Sequence, residues 1–373
     1  MQSAVGDRLG RLAGIGSPRR VPPRPLPPER RPRVTVVVTC FNYGHYLPQS
    51  VGSALAQEGV ECDVVLVDDA SPDGSGATAE KLFGGDERVR IVRRPVNGGP
   101  VAAFNDGLAL VSGAYLVRLD ADDLLAPGAL RRAVALLEAF PEVGFCYGHP
   151  VHFTDAPPDR HRSDVTGWTL WSGSDWLALR CRRATNCITS PEVVIRTAVA
   201  QRVGGMDPDL PHTHDLEWWM RLATAADVGR VVGADQAFHR DHAASRSATE
   251  FAPGERDLRE RARAFAALFT GPARDLPGAD ALWARARRTL AAEALDRACR
   301  ALERGEPDAT AVLFAELARE IEPACDSLPH WRAYQRRRRA KGSRLLHPFF
   351  LLRPAARRLR GELAVYRWRR HGV

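Results

Sequence analysis

The sequence lacks the patterns that mark several common classes of protein. Its 373 residues include seven scattered cysteines and no CxxC pair. This argues against a disulfide framework or a zinc ribbon and favours a reducing cytosolic compartment. No run of eighteen apolar residues occurs, so we expect no transmembrane helix. Neither GxxxxGK[ST] nor GxGxxG follows the first predicted strand, which disfavours P-loop kinases and dinucleotide-binding dehydrogenases.

Charge is distributed unevenly along the chain. The net charge is +8, but residues 1–33 carry +6 and residues 331–373 carry +13, so the body between them is acidic, at −11. An acidic body argues against nucleic-acid binding. The basic ends favour contact with an anionic surface such as a membrane leaflet.

The residue pattern predicts four regions. Residues 1–33, rich in Pro and Arg in their second half, predict a disordered leader. Strands and helices alternate from Val34 to about residue 150, which predicts an α/β domain with a mainly parallel central sheet flanked by helices. We expect this domain to cover 34–250 and to be followed by a helical extension over 251–330.

Residues 331–373 form a basic tail in which Arg alternates with Leu, Phe, Trp and Tyr. A basic amphipathic segment of this kind fits a membrane interface, and its apolar octet is too short to span a bilayer. The alternative is a helical tail docked on the protein with solvated Arg. The membrane interpretation places the protein in the cytoplasm or peripherally on the inner face of the cell membrane.

Polar residues follow four of the predicted strands, where ligands bind in open α/β sheets. These loops are Thr39–Tyr43, Asp68–Gly74, Arg93–Gly99 and Asp120–Asp123. Asp68 and Asp69 can accept hydrogen bonds from a base imide or a ribose hydroxyl, whereas Asp73 fits a helix cap. The Asn97-Gly98-Gly99 sequence fits a plain turn as well as a close approach to a ligand.

Three carboxylates lie within one turn of chain at Asp120, Asp122 and Asp123. Clustered carboxylates repel one another unless a cation or hydrogen-bond donors offset them. Oxygen ligands completed by phosphate suit Mg²⁺ or Mn²⁺. The alternative is an acidic surface turn that caps the helix predicted to begin at Pro127.

The ordered set of motifs resembles the family 2 glycosyltransferases over roughly residues 34–250. The resemblance is carried by VTVVVTCFNYGHYLPQSVGSALAQ, VVLVDDASPDGS, NGGPVAAFNDGLALVSGAYLVRLDADD, VGGMDPDLPHTHDLEWWMRLA and FHRDHAASRS. It implies a GT-A fold, divided here into a nucleotide-binding half (34–125) and an acceptor half (126–250). It also implies a nucleotide-sugar donor, a divalent metal and, in most members, inversion at the anomeric carbon.

The resemblance also implies roles for individual residues. Asp215 would be the general base, and the metal would be held by Asp122, with Asp120 and, as in some members, His242. The residues implied at the donor are Thr39, Phe41, Asn42, Asp68, Asp69, Arg94, Asn97, Gly98, Asp120, Ala121, Gly204 and Gly205. The sequence departs from the family pattern at the residue before Asp215, where His214 replaces the usual Glu. This leaves the pKa of Asp215 and the type of acceptor open.

Other interpretations of these residues stay open. Asp215 also fits a helix N-cap, and His242 also fits an ordinary loop histidine. The tryptophans of the acceptor half could stack on a sugar or lipid, or pack in the core; they are Trp168, Trp171, Trp176, Trp218 and Trp219. The loops at 155–175 and 240–253 are candidates for a lid that excludes water.

These observations predict a metal-assisted, inverting glycosyltransferase that uses Mn²⁺ or Mg²⁺. The expected donor is a nucleotide-diphosphate sugar, with UDP favoured, and the expected acceptor is a glycan or a lipid-linked saccharide. One alternative is a sugar nucleotidyltransferase, although Phe41-Asn42-Tyr43-Gly44 lacks the basic glycine-rich loop of that class. Another is a non-catalytic membrane-surface binding module with the same fold.

Overall fold

The strand over Arg33–Cys40 shows why this sequence forms a central sheet. It is rich in β-branched residues, and every residue after Arg33 is buried, as expected for a strand covered on both faces.

The computed structural model describes residues 16–242 and 254–339. The strands that it describes are β1 Arg19–Val21, β2 Arg33–Cys40, β3 Glu61–Asp68, β4 Val89–Arg93, β5 Tyr115–Asp120, β6 Leu124–Leu125, β7 Val143–Phe153, β8 Gly167–Trp171, β9 Val194–Arg196 and β10 Asp227–Arg240.

Nine of these strands form one path in the order β1-β8-β10-β7-β9-β5-β2-β3-β4, and β6 pairs with β10. The β2–β3, β3–β4, β2–β5 and β7–β10 pairs are parallel. The β1–β8, β8–β10, β6–β10, β5–β9 and β7–β9 pairs are antiparallel. The run β5-β2-β3-β4 is parallel throughout, and the prediction of an α/β fold with a mainly parallel central sheet flanked by helices is confirmed.

The helices alternate with the strands of the first half and then dominate the second. They are α1 Leu47–Leu55, α2 Ser75–Phe83, α3 Gly99–Leu108, α4 Ala129–Ala139, α5 Gly173–Arg183, α6 Thr197–Val203, α7 His214–Ala225, α8 Gly254–Thr270, α9 Ala279–Arg304, α10 Asp308–Ile321 and α11 Pro329–Arg339. In α1 the apolar residues Leu47, Val51 and Ala54 are buried, and in α4 the buried residues include Leu130, Val134 and Leu137.

The predicted disordered leader is wrong for residues 16–33, whereas residues 1–15 lie outside the described part. Arg19–Val21 forms β1, which pairs with β8. Leu26 is buried, and its carbonyl accepts a hydrogen bond from Arg131 Nη2 at 2.7 Å. A Pro- and Arg-rich segment favours an extended chain, and an extended chain can also add to a sheet edge. That pairing is not visible in local sequence.

The chain divides into two compact units, residues 1–177 with 188–245 and residues 178–187 with 246–373. The described part of the second unit is helical, as predicted for 251–330, but it also takes in residues 178–187. There, Arg261 Nη1 donates to the Ala184 carbonyl at 2.6 Å, and its Nη2 donates to Glu293 Oε1 at 2.9 Å. These contacts attach the end of α5 to the helices that follow.

The start of the basic tail is a packed helix. In α11, Tyr334 is buried, and Arg337 Nε donates to Glu303 Oε1 at 2.7 Å. The docked alternative therefore holds for residues 331–339. Residues 340–373, on which the membrane interpretation depends, lie outside the described part.

Two of the expected absences can be examined in the structure. No disulfide joins any of the seven cysteines, all of which are described. Within 16–242 and 254–339, no helix combines the length and apolar character needed to cross a membrane.

Candidate active site

Thr39 and Asp120 lie side by side at the ends of two parallel strands. The register of β2 and β5 places them opposite each other, and Thr39 Oγ1 donates to Asp120 Oδ1 at 3.0 Å. Arg118, two residues earlier on the same face of β5, holds the same carboxylate through Nη2, at 2.8 Å from Oδ1 and 3.1 Å from Oδ2. Asp120 is therefore paired with a buried guanidinium that the motif alone did not reveal.

Asp122 lies next to His242, although 120 residues separate them in sequence. The Asp122 Oδ2 and His242 Nε2 atoms are 3.0 Å apart, and both side chains are largely buried. Burial, with repulsion from Asp120, raises the pKa of Asp122, while the hydrogen bond to His242 opposes the rise. The sequence interpretation of His242 as an ordinary loop residue is therefore weakened, because its ring nitrogen faces the central carboxylate of the motif.

Tyr43, the last residue of the predicted Thr39–Tyr43 loop, is a third neighbour of this pair, although no individual role was predicted for it from sequence. Its ring lies edge-on to the ring of His242, with centroids 5.5 Å apart. Burial and the nearby charge of Asp122 raise the pKa of Tyr43 to about 12. Its phenol therefore stays protonated near neutral pH and is available as a hydrogen-bond donor beside the carboxylate.

Asp123 does not join the other two carboxylates, contrary to the sequence interpretation of a three-carboxylate cluster. It is buried and turns the other way, where its Oδ2 lies 3.0 Å from His239 Nδ1 and its Oδ1 accepts the Arg240 N–H at 2.9 Å. Burial opposes charge on His239, but the hydrogen bond and charge of Asp123 outweigh it and raise the pKa of His239 to about 9.

Asp69 organises the loop that follows β4. Its Oδ1 accepts the Gly98 N–H at 3.0 Å and a bond from Arg94 Nη1, and its Oδ2 accepts the Gly99 N–H at 2.8 Å. A carboxylate oxygen can accept two hydrogen bonds, so the Oδ2 atom keeps capacity for one more donor. Gly99 has φ +80°, a conformation that glycine adopts without strain.

Asn97 and Asp68 support this edge of the sheet in different ways. Asn97 Oδ1 accepts the Gly99 N–H at 3.1 Å, so this side chain closes the turn as well as lying in the predicted donor loop. Asp68 is buried beneath the start of α2, where its Oδ2 lies 2.7 Å from the place that a Cβ on Gly76 would occupy. Asp68 and Asp69 are equally buried, but the Asp68 carboxylate faces α2 whereas the Asp69 carboxylate faces the loop after β4.

The remaining donor-side residues lie in the loops after β2 and β5. Phe41 is exposed, whereas Ala121 is buried and its N–H donates to the Thr39 carbonyl. Asn42 has φ +63°, and Ala70 after β3 has φ +56°. Such values are uncommon outside glycine and store strain that occurs more often at functional sites.

Gly204 and Gly205 lie beneath helix α7. The Gly204 carbonyl accepts the Trp218 indole N–H at 2.9 Å, and the Gly205 carbonyl accepts Arg221 Nη2 at 2.6 Å. Arg221 is itself paired with the buried Glu217, with Nε 2.8 Å from Oε1. The backbone of this turn is thus fixed by α7, the helix that carries the predicted base.

Asp215 lies in the first turn of α7, half-buried, and its Oδ1 accepts the Leu216 N–H at 2.7 Å. His214 before it is buried. Asn105 of α3 connects this region to the donor side, because it donates to the Met206 carbonyl at 2.9 Å and accepts the Met206 N–H at 2.8 Å. The helix begins at His214 with Thr213 at the N-cap position, so the interpretation of Asp215 as the N-cap is wrong, and its carboxylate lies within the first turn.

The tryptophans of the acceptor half are core residues. All five are at most 3% exposed; they are Trp168, Trp171, Trp176, Trp218 and Trp219. The alternative of stacking on a sugar or lipid is therefore wrong for this structure. The lid predicted over 155–175 is also wrong at residues 167–171, which form β8 inside the sheet. Most of the second lid candidate, residues 243–253, lies outside the described part.

Part of the chain is similar in sequence to known proteins. Residues 35–204 match the family model described as glycosyl transferase family 2. The succinoglycan biosynthesis protein ExoO of Rhizobium meliloti is 38% identical over 111 residues, which are 30% of this chain and 31% of ExoO. Chondroitin synthase of Pasteurella multocida is 37% identical over 101 residues, which are 27% of this chain and 10% of that enzyme. The chain thus spans about a third or less of these relatives.

A solved structure shares the fold. The crystal structure of S. aureus TarS 1–349 in complex with UDP-GlcNAc superimposes with a TM-score of 0.51 at 15% sequence identity, covering 78% of this chain and 91% of TarS 1–349. At this identity the likeness concerns the fold alone, which is of GT-A type. Over residues 35–204 the chain is similar to glycosyl transferase family 2.

Proposed function

We propose that the protein is an inverting glycosyltransferase. It would transfer a sugar from a nucleotide-diphosphate sugar to a hydroxyl group of a glycan or lipid-linked acceptor. The observation that carries the proposal is the convergence of Asp122 and His242, whose facing atoms lie 3.0 Å apart beside the strand-end loops. The family match over residues 35–204 supports the reaction class.

The residues present fit a divalent metal. A carboxylate oxygen and an imidazole nitrogen face each other, and repulsion from Asp120 together with burial raises the pKa of Asp122. A cation would relieve that repulsion. Asp122 and His242 would hold Mn²⁺ or Mg²⁺, while Asp120 stays engaged by Arg118 and Thr39. When bound, the metal would stabilise the negative charge of the leaving nucleoside diphosphate.

The donor would lie along the edge built by β2, β3 and β4. Asp69 Oδ2 has capacity for one more donor, such as the N–H of a base. Asp120, fixed by two partners, would accept a ribose hydroxyl. We favour a UDP-sugar, and the complex of TarS with UDP-GlcNAc supports a nucleotide-sugar donor on this fold.

Asp215 would act as the general base. Its carboxylate would accept the proton of the acceptor hydroxyl as that oxygen attacks the sugar. The Leu216 N–H, 2.7 Å from Oδ1, would orient the carboxylate for this step. One in-line displacement inverts the anomeric carbon, and the sequence supplies no motif for a second nucleophile.

The names of two relatives refer to polysaccharides, succinoglycan and chondroitin, and this supports a glycan acceptor. The basic residues of 331–373 support a location in the cytoplasm or on the inner face of the cell membrane, where a lipid-linked acceptor would be presented.

The test is a donor panel. UDP-, GDP-, dTDP- and ADP-sugars are incubated with the full chain in Mn²⁺, in Mg²⁺ and in EDTA, and thermal stabilisation and nucleotide release are measured together. We expect one nucleotide class to stabilise the protein only with metal. Asp122→Asn should abolish the effect, and Asp275→Asn, an exposed carboxylate of the second unit, serves as the matched control.

Other outcomes would favour the alternatives. Pyrophosphate release from a nucleoside triphosphate and a sugar phosphate would indicate a nucleotidyltransferase. Metal-independent binding without release or transfer would indicate a binding module. Full transfer by Asp215→Asn would remove the assignment of the base while leaving the donor site intact.

A further inference from the structure

A second group of metal-binding side chains lies at the ends of β7 and β10. The parallel register pairs His239 with His152, and directly paired residues of neighbouring strands point to the same face of the sheet. Asp241 follows His239 by two residues, and its N–H continues the pairing by donating to the Phe153 carbonyl at 2.8 Å. The backbone alone therefore presents two imidazoles and a carboxylate on one face.

The three side chains converge. His152 Nδ1 lies 3.1 Å from Asp241 Oδ2, and His239 Nε2 lies 3.8 Å from Asp241 Oδ1. One ligand atom of each residue lies within 4.8 Å of the others. Ligands of a tetrahedral zinc ion with bonds of about 2.0 Å are separated by roughly 3.3 Å. Small side-chain rotations would close the group around one ion.

A buried carboxylate fixes the orientation of one of these imidazoles. Asp123 is 1% exposed; its Oδ2 faces His239 Nδ1 at 3.0 Å, and its Oδ1 is held by the Arg240 N–H. With Nδ1 donating to Asp123, Nε2 of His239 faces Asp241 and would coordinate the ion once it releases its proton. Histidines that bind metals usually donate their other N–H to a carboxylate in this way.

We propose that His152, His239 and Asp241 form a binding site for a transition metal of the Zn²⁺ class, with Asp123 as the positioning residue. Two imidazoles suit Zn²⁺ better than Mg²⁺ or Mn²⁺, which prefer oxygen. The ligand side chains are 30–56% exposed, so the ion can enter from solvent. Bound metal would join the ends of β7 and β10 where the chain leaves the sheet.

The test measures binding of Zn²⁺ alone to the full chain. The parent is the Asp122→Ala, His242→Ala double variant, because it lacks the donor-side ligands. We expect one Zn²⁺ per chain by equilibrium dialysis, with affinity reduced about 100-fold or more in His152→Ala. His330→Ala, an exposed histidine of the second unit, is the control and should bind as the parent does.

Visible absorption of bound Co²⁺ provides a second readout that does not depend on stability. His152→Gln, a milder substitution on an exposed residue, should change this spectrum if His152 is a ligand. Asp123→Asn should weaken Zn²⁺ binding about 10–100-fold, less than loss of a ligand. Absence of bound Zn²⁺ in the parent, or equal affinity in His152→Ala and the control, would overturn the proposal.

Discussion

Asp122 and Asp123 are neighbours in sequence, and each faces a histidine, yet the two pairs have different surroundings. Asp122 shares its region with a second carboxylate, Asp120, and its pKa is raised. Asp123 lies in the interior, with both oxygens held by partners from β10. Repulsion from Asp120 adds to the effect of burial on Asp122, and a bound cation can relieve that repulsion. Burial raises the pKa of Asp123 as well, to about 6, but its hydrogen bond and charge pairing with His239 oppose the rise. The first arrangement fits ligand binding, and the second fits stability and orientation.

The largest expected effect tests the first pair. Asp122→Asn should lower kcat/KM for transfer about 10²–10⁴-fold, because the side chain that would hold the metal loses its charge. The same change should leave the free energy of unfolding equal or slightly higher, because it removes repulsion with Asp120. Steady-state kinetics and urea unfolding measure the two quantities. A large loss of stability would show that Asp122, like Asp123, stabilises the fold and would contradict the ligand-binding interpretation.

A second substitution tests the buried pair. Asp123→Asn should lower the free energy of unfolding by about 2–3 kcal/mol, because it removes a buried charge and leaves His239 without its anionic partner. This loss in the free energy of unfolding is smaller than is usual when a fully buried ion pair is broken, because the His239 side chain is 30% exposed. A double-mutant cycle with His239→Gln measures the coupling. Additive effects of the two substitutions would contradict the interpretation.

The pair Asp123–His239 should also make stability depend on pH. The pKa of His239 is raised to about 9 in the folded protein, above its usual value of about 6.5. The stabilisation is therefore fully present below about pH 6.5 and is lost as the pH rises through 9. We expect the advantage of the native chain over His239→Gln to fall by about 2 kcal/mol between pH 6 and pH 9.5. An unchanged difference would show that His239 titrates normally.

The smallest expected effect on stability comes from Glu192, a buried carboxyl group that lacks a cationic partner strong enough to keep its pKa at the usual value. Glu192 is buried, and burial raises its pKa to about 7, although the Thr189 N–H donates to Oε1 at 2.7 Å. The unfolded chain ionises this residue at lower pH, so the fold loses stability as the pH rises from about 4.5 to 7. Glu192→Gln should therefore be about 1 kcal/mol more stable than the native chain at pH 8 and no more stable at pH 4. Thermal unfolding at both pH values checks this.

The sequence predicted the donor half of the fold well because its strands are short runs of buried Val and Leu, a pattern that needs little context. It did not reveal β8, which lies between polar segments, or β1, whose Arg19–Val21 segment is a strand only because β8 is there to pair with it. The packed start of the basic tail likewise depends on Glu303, 34 residues before Arg337. Contacts of this kind leave no periodic pattern.

The site was predictable to a similar degree. The proximity of His242 to Asp122 followed from the family resemblance. Arg118 was accessible to simpler reasoning, because a residue two positions before Asp120 on a strand points to the same side. The opposite direction of Asp123 was not, because its partners His239 and Arg240 lie 116 and 117 residues away.

The pairing of β1 with β8 has a consequence for how the protein behaves in solution at high concentration. An unpaired strand edge exposes N–H and C=O groups that can recruit another chain, and β1 covers such an edge of β8. At the other end of the sheet, β4 carries exposed Arg90 and Arg93, whose charge discourages intermolecular pairing. A variant truncated to begin at residue 34 would lose the cover that β1 gives to β8 but would keep the charged residues of β4. The short, proline-flanked strand β1 therefore reduces the tendency of the protein to aggregate through the edge of β8.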